Sequence, residues 1–92
     1  MATVIIPTPL RKFTNQTARL QVEAGTVGEI IDRITLDFPE LKKHLLDPQG
    51  DLRSFVNIFA GDEDIRDLQK EKTPVNKSTV VSIVPAIAGG NH

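Results

Sequence analysis

Apolar positions along this 92-residue chain change their period several times, and each change marks an element. Val4, Ile5 and Ile6 follow one another, and Val80, Val81, Ile83 and Val84 crowd a second short run. Both patterns predict strands covered on two faces, which places them together at the centre of a sheet. Between Ala18 and Glu23 the period is two, with Leu20 and Val22 on one side and Arg19, Gln21 and Glu23 on the other. That alternation predicts an edge strand wet on one face. Val27, Ile30, Ile31, Ile34 and Phe38 then recur at helical spacing, with Asp32, Arg33 and Asp37 opposite them. Thr26 and Glu29 have the spacing of a capping box, in which each side chain satisfies a free backbone N–H at the helix start. Pro39 closes this helix, and Glu40 to Leu46 predicts a short second one.

The polar stretches between these runs say how the elements connect. Pro7 to Thr17 holds two prolines, Asn15, Gln16 and three threonines, which predicts a long and mobile hairpin loop rather than a tight turn. Asp47-Pro48-Gln49-Gly50-Asp51 is a second polar loop. Gly61-Asp62 separates Phe55-Val56-Asn57-Ile58-Phe59 from Asp64-Ile65-Arg66, a pairing that predicts a hairpin with a tight glycine turn. The resulting order is strand, strand, helix, strand, strand, irregular stretch, strand. If the first and last strands run parallel, the helix supplies the crossover and covers one face of the sheet. This is an α+β, β-grasp layout: a mixed sheet of four to five strands with one main helix on one face. It occupies residues 1–84 and leaves residues 85–92 as a flexible C-terminal tail.

Composition narrows the function without naming it. Eleven Lys+Arg against twelve Asp+Glu, in short clusters, give no basic stripe for nucleic acid, so a protein partner is expected. Cysteine is absent, which excludes disulfides, thiolate catalysis and Cys-ligated zinc. No apolar run approaches the roughly 18 residues of a membrane span, and the first residues lack a secretory-signal layout; a cytoplasmic protein without membrane contact is expected. His44 and His92 have no second ligand at metal spacing, and Asp62-Glu63-Asp64 lacks the spaced oxygens of a calcium loop, so no metal is assigned. Ser54, Ser78 and Ser82 stand without a neighbouring His, and no glycine loop suited to phosphate is present, which argues against independent enzyme activity.

The remaining candidate chemistry lies at the end of the chain. After the strand-like run Thr79 to Val84 come Pro85-Ala86-Ile87-Ala88-Gly89-Gly90 and then Asn91-His92. Six residues from Pro85 to Gly90 can span at most about 20 Å at ~3.3 Å per residue. A slender end of this kind can thread into a narrow partner cleft, and two glycines without Cβ atoms adopt backbone angles closed to other residues.

Val81-Ser82-Ile83-Val84-Pro85-Ala86-Ile87-Ala88-Gly89-Gly90, Phe55-Val56-Asn57-Ile58-Phe59 and Glu63-Asp64-Ile65-Arg66 resemble the ubiquitin-like sulfur carriers of the MoaD/ThiS family. Ile6-Pro7-Thr8, Leu10-Arg11 and Leu46-Asp47-Pro48 make the likeness greatest to its CysO-type carriers of cysteine biosynthesis. The resemblance implies a protein co-substrate rather than an enzyme, with no bound cofactor of its own. It implies that the carboxylate of Gly90 is adenylated with ATP held by a partner activating enzyme and converted to a thiocarboxylate. A sulfur-accepting synthase, expected to depend on pyridoxal phosphate, would then receive the sulfur for cysteine or homocysteine. Pro85, Ala86, Ile87, Ala88 and Gly89 would thread into the partner active sites, and Phe59 and Ile87 are the candidates for partner docking. Carriers ready for adenylation end at the second glycine, so the resemblance also implies a trimming peptidase that removes Asn91-His92. Three alternatives remain at this point: the small subunit of molybdopterin synthase, a ubiquitin-like modifier joined to target lysines, and a plain interaction domain whose tail has lost its chemistry.

Overall fold

The computed structural model describes residues 1–85. Five strands form one sheet in the order β2-β1-β5-β3-β4. In chain order they are β1 (Ala2–Ile5), β2 (Arg19–Val22), β3 (Val56–Ala60), β4 (Glu63–Asp64) and β5 (Val80–Pro85), with helices α1 (Val27–Asp37) and α2 (Pro39–Leu45) between β2 and β3. β1 and β5 run parallel, with Val4 opposite Val81. β2 pairs antiparallel with β1 and forms an edge, as its alternation predicts. The first and last strands therefore meet at the sheet centre, in the β-grasp arrangement expected from the element order.

The core is a single layer between sheet and helix. Val4, Val22, Val56, Ile58, Val81 and Ile83 point from the sheet into one buried cluster with Val27, Ile30, Ile31 and Ile34 of α1. Leu41 and Leu45 of α2 close one end of it. Thr26 caps α1, accepting from the Glu29 N–H at 3.2 Å. The Glu29 carboxylate reaches back to the N–H of Gly25 at 2.7 Å, one residue earlier than the expected box partner. Phe38 is half-buried and ends α1, and Pro39 opens α2 at a position where its missing N–H costs nothing.

Three expectations are corrected. The central strands are not covered on both faces: Val80 and Val84 are 40% and 45% exposed, because a single helix layer can cover only one side of the sheet. The segment after β1 is not a mobile loop but a 3-10 helix, Thr8–Phe13, with Leu10 and Thr14 buried. Pro9 pre-sets its backbone, Leu10 anchors it, and the Thr14 hydroxyl donates to the Thr17 carbonyl at 3.0 Å. The hairpin after β3 is tight, with Gly61 at φ +66 and Ala60 opposite Glu63, but β4 ends at Asp64. Ile65 turns into the core at the start of a second 3-10 helix, whose first N–H groups are capped by Asp64 through the Arg66 N–H at 2.8 Å. Gly28 brings the first turn of α1 against the short 3-10 helix Lys70–Lys72. A Cβ at this position would lie 3.1 Å from the Glu71 carbonyl oxygen.

Candidate functional site: the open sheet face and the strand that leads to the tail

β5 is the element that positions the candidate chemistry. It lies between β1 and β3: Val80 to Ser82 pair with β1 on one side, and Val81 to Pro85 pair with β3 on the other, with Pro85 opposite Val56. Pro85, placed in the tail by composition, is half-buried and is the last residue of β5. Ala86, Ile87, Ala88, Gly89, Gly90, Asn91 and His92 lie outside the described residues. The structure therefore gives β5 as far as Pro85 and the surface around it.

That surface is the sheet face away from α1. Strand alternation puts Thr3 and Ile5 of β1, Val80, Ser82 and Val84 of β5, and Asn57 and Phe59 of β3 on it. Phe59 lies opposite Ser82 and is half-buried by its neighbours, while Val84 lies opposite Asn57 and is exposed. Phe55, immediately before β3, is 43% exposed. Phe59, a docking candidate from the resemblance, lies on this face; Val80 and Val84 carry no such expectation from the sequence. Their signal was available in the fact that only one amphipathic helix long enough to cover the sheet is predicted.

Arg66 holds the start of β3 beside this exit. Its guanidinium donates to Asn57 Oδ1 at 2.7 Å, to the Ser54 carbonyl at 3.0 Å and to the Val56 carbonyl at 3.1 Å. Three acceptors on three residues suit the forked donor geometry of arginine and would be poorly met by lysine. On the helix side of β3 the same Arg66, with Arg53 and Lys70, borders a cleft of about 300 Å³ that also includes Glu71. A partner approaching from that side meets a mainly positive rim.

Other sequence candidates fall away from the exit. His44 is exposed and stacks on Phe13, ring centroids 4.3 Å apart, with the Lys12 ammonium 5.2 Å from the same ring. Among the described residues there is no group of three or more His, Cys, Asp or Glu side chains placed to hold a metal ion. No helix among the described residues is long and apolar enough to cross a membrane.

The ThiS family model matches residues 4–90. The chain belongs to the ThiS family. Sulfur carrier protein CysO of Mycobacterium tuberculosis is 36% identical over 90 residues, covering 96% of this chain and 97% of its own. CysO in the Amycolatopsis orientalis BexX/CysO complex superposes with a TM-score of 0.87 at 33% identity, over 98% of this chain and 100% of that one. The small archaeal modifier protein 1 of Methanosarcina acetivorans reaches a TM-score of 0.83 at 24% identity, over 97% of this chain and 95% of that one, a likeness of fold alone. The resemblance to the CysO-type carriers is thus supported from end to end. The relatives are named as carrier proteins, in agreement with the expectation of a co-substrate rather than an enzyme.

Proposed function

We propose that this protein is a sulfur carrier that presents Gly90 as its reactive end. The observation that carries the reading is the extent of the family match, which runs from β1 to Gly90 and stops there, leaving Asn91-His92 outside it. The CysO relatives give the role its name, and the pathway we assign is cysteine biosynthesis, with homocysteine as the neighbouring product.

The chemistry divides between carrier and partners. A free carboxylate is a poor acyl donor. Adenylation by a partner activating enzyme using ATP releases pyrophosphate and makes AMP the leaving group, and a sulfur nucleophile then displaces AMP to leave a thiocarboxylate on Gly90. The thiocarboxylate sulfur bonds to an acceptor carbon held by a pyridoxal-phosphate synthase, and hydrolysis of the acyl link so formed, with water supplying the oxygen, releases the sulfur-bearing product and returns Gly90 as a carboxylate. None of these steps asks this chain for a catalytic side chain. Its part is to hold β5 as far as Pro85, to offer Gly89 and Gly90 as a narrow end, and to dock through Ile87 and the open sheet face that carries Phe59 and Val84. A peptidase must first hydrolyse the Gly90–Asn91 bond, because the carboxylate to be activated is that of Gly90. The Amycolatopsis orientalis complex provides a precedent for a CysO bound to a second protein.

The test is intact-mass analysis of a chain ending at Gly90, incubated with the activating enzyme, ATP and a sulfide source. A gain of about 16 Da, one oxygen replaced by sulfur, is expected, while the chain that retains Asn91-His92 stays unchanged. Absence of the gain in the shortened chain, or an equal gain in both, overturns the proposal.

A further inference from the structure

The sheet has two edges, and they differ in what they offer. β4 is two acidic residues long, Glu63–Asp64, and follows Asp62, so a second copy paired there would meet like charge. β2 is the other edge, and its sequence is complementary to itself. The Thr3 N–H donates to the Thr79 carbonyl at 3.1 Å on the β5 side, and the Ile6 N–H donates to the Ala18 carbonyl at 2.8 Å on the β2 side. Backbone groups alternate in direction along a strand, so Arg19 and Gln21 turn their N–H and C=O groups to the open side of β2, and Glu23, the next position in that alternation, follows directly after the strand. All three side chains are exposed.

We propose that this protein self-associates through β2, two copies pairing antiparallel about a two-fold axis at Gln21. In this register Arg19 of each copy lies opposite Glu23 of the other, and Gln21 lies opposite Gln21. These are hydrogen-bonded positions, with about two main-chain bonds to each pair. On the reverse face Leu20 lies opposite Val22, an apolar pair that extends the core across the axis. The same axis sets the two α1 helices antiparallel. Arg33 and Asp37, one helical turn apart on the rim of a 340 Å³ groove shared with Leu20, Val22 and Phe38, then face Asp37 and Arg33 of the other copy. Opposite charges therefore meet at both levels of the interface, strand and helix. The pairing leaves Pro85 and β3 open, so it is independent of the carrier reading.

Sedimentation of the full chain across the micromolar to millimolar range tests the proposal. A concentration-dependent dimer is expected, weaker at high salt because its charge pairs are exposed. Arg19→Glu should weaken it about tenfold by placing two like-charge pairs across the axis, and adding Glu23→Arg to that variant should restore it. Gln21→Pro removes an N–H that the monomer does not use and should abolish the dimer, while thermal melting confirms that each variant folds. A monomer at all concentrations, a dimer indifferent to Arg19→Glu, or a charge-swapped double variant that stays monomeric overturns it.

Discussion

Arg66 ties three neighbouring acceptors with one planar group, and this is the contact at residue scale that most directly bears on the candidate site. Asn57, Ser54 and Val56 are all at the start of β3, and Val56 is the partner of Pro85. Removing the guanidinium leaves these acceptors to water, because the site is exposed, so the cost is modest. Arg66→Ala should lower the free energy of unfolding by about 1 kcal/mol in denaturant titration. Arg66→Lys should recover little of it, since an ammonium cannot meet three fixed acceptors at once. Hydrogen exchange should show the larger change at Val56 and Asn57, where the loss is local. Equal exchange throughout the sheet would mean that Arg66 is not what holds this end of β3.

At the scale of elements, the open sheet face separates docking from stability. Val84 is exposed on that face, so changing it removes no core contact. Val84→Lys should cost no more than about 1 kcal/mol of stability, the usual range for strand preference. It should raise the KM of the activating enzyme for the carrier on the order of tenfold with kcat little changed, the signature of lost binding shared by ground and transition states. A lowered kcat at unchanged KM would place the docking surface elsewhere. The same elements show how far the sequence could be read. The α1 stripe, the Thr26 cap, the Pro39 break and the alternation of Ala18 to Glu23 were legible because each carries a local rule. The 3-10 helix at Thr8–Phe13 was not, because two prolines and three threonines signal a loop unless the burial of Leu10 and Thr14 is known. The exposure of Val80 and Val84 depends on which layers the chain has left to cover the sheet, and no window of residues around β5 records that.

For the whole molecule, the carrier reading assigns fold and chemistry to separate parts of the chain. The buried cluster is assembled from residues between Ala2 and Ile83, and β5 is paired on both sides up to Ser82 and with β3 alone from there to Pro85. Gly90, the residue on which the carrier reading rests, lies outside the described residues. Removing residues 86–92 should therefore leave the free energy of unfolding within about 0.5 kcal/mol of the full chain, the range expected for changes away from the core. The same truncation should abolish the gain of sulfur while preserving most of the affinity for the activating enzyme, since the open face with Phe59 and Val84 is retained. A competition assay measures this directly: the truncated chain should inhibit loading of a chain that ends at Gly90. If the truncated chain is stable and fails to compete, recognition lies in the tail itself, and the open sheet face has no part in docking. If instead it unfolds, residues 86–92 belong to the fold as much as β5 does, and the division between a structural sheet and a chemical end is wrong.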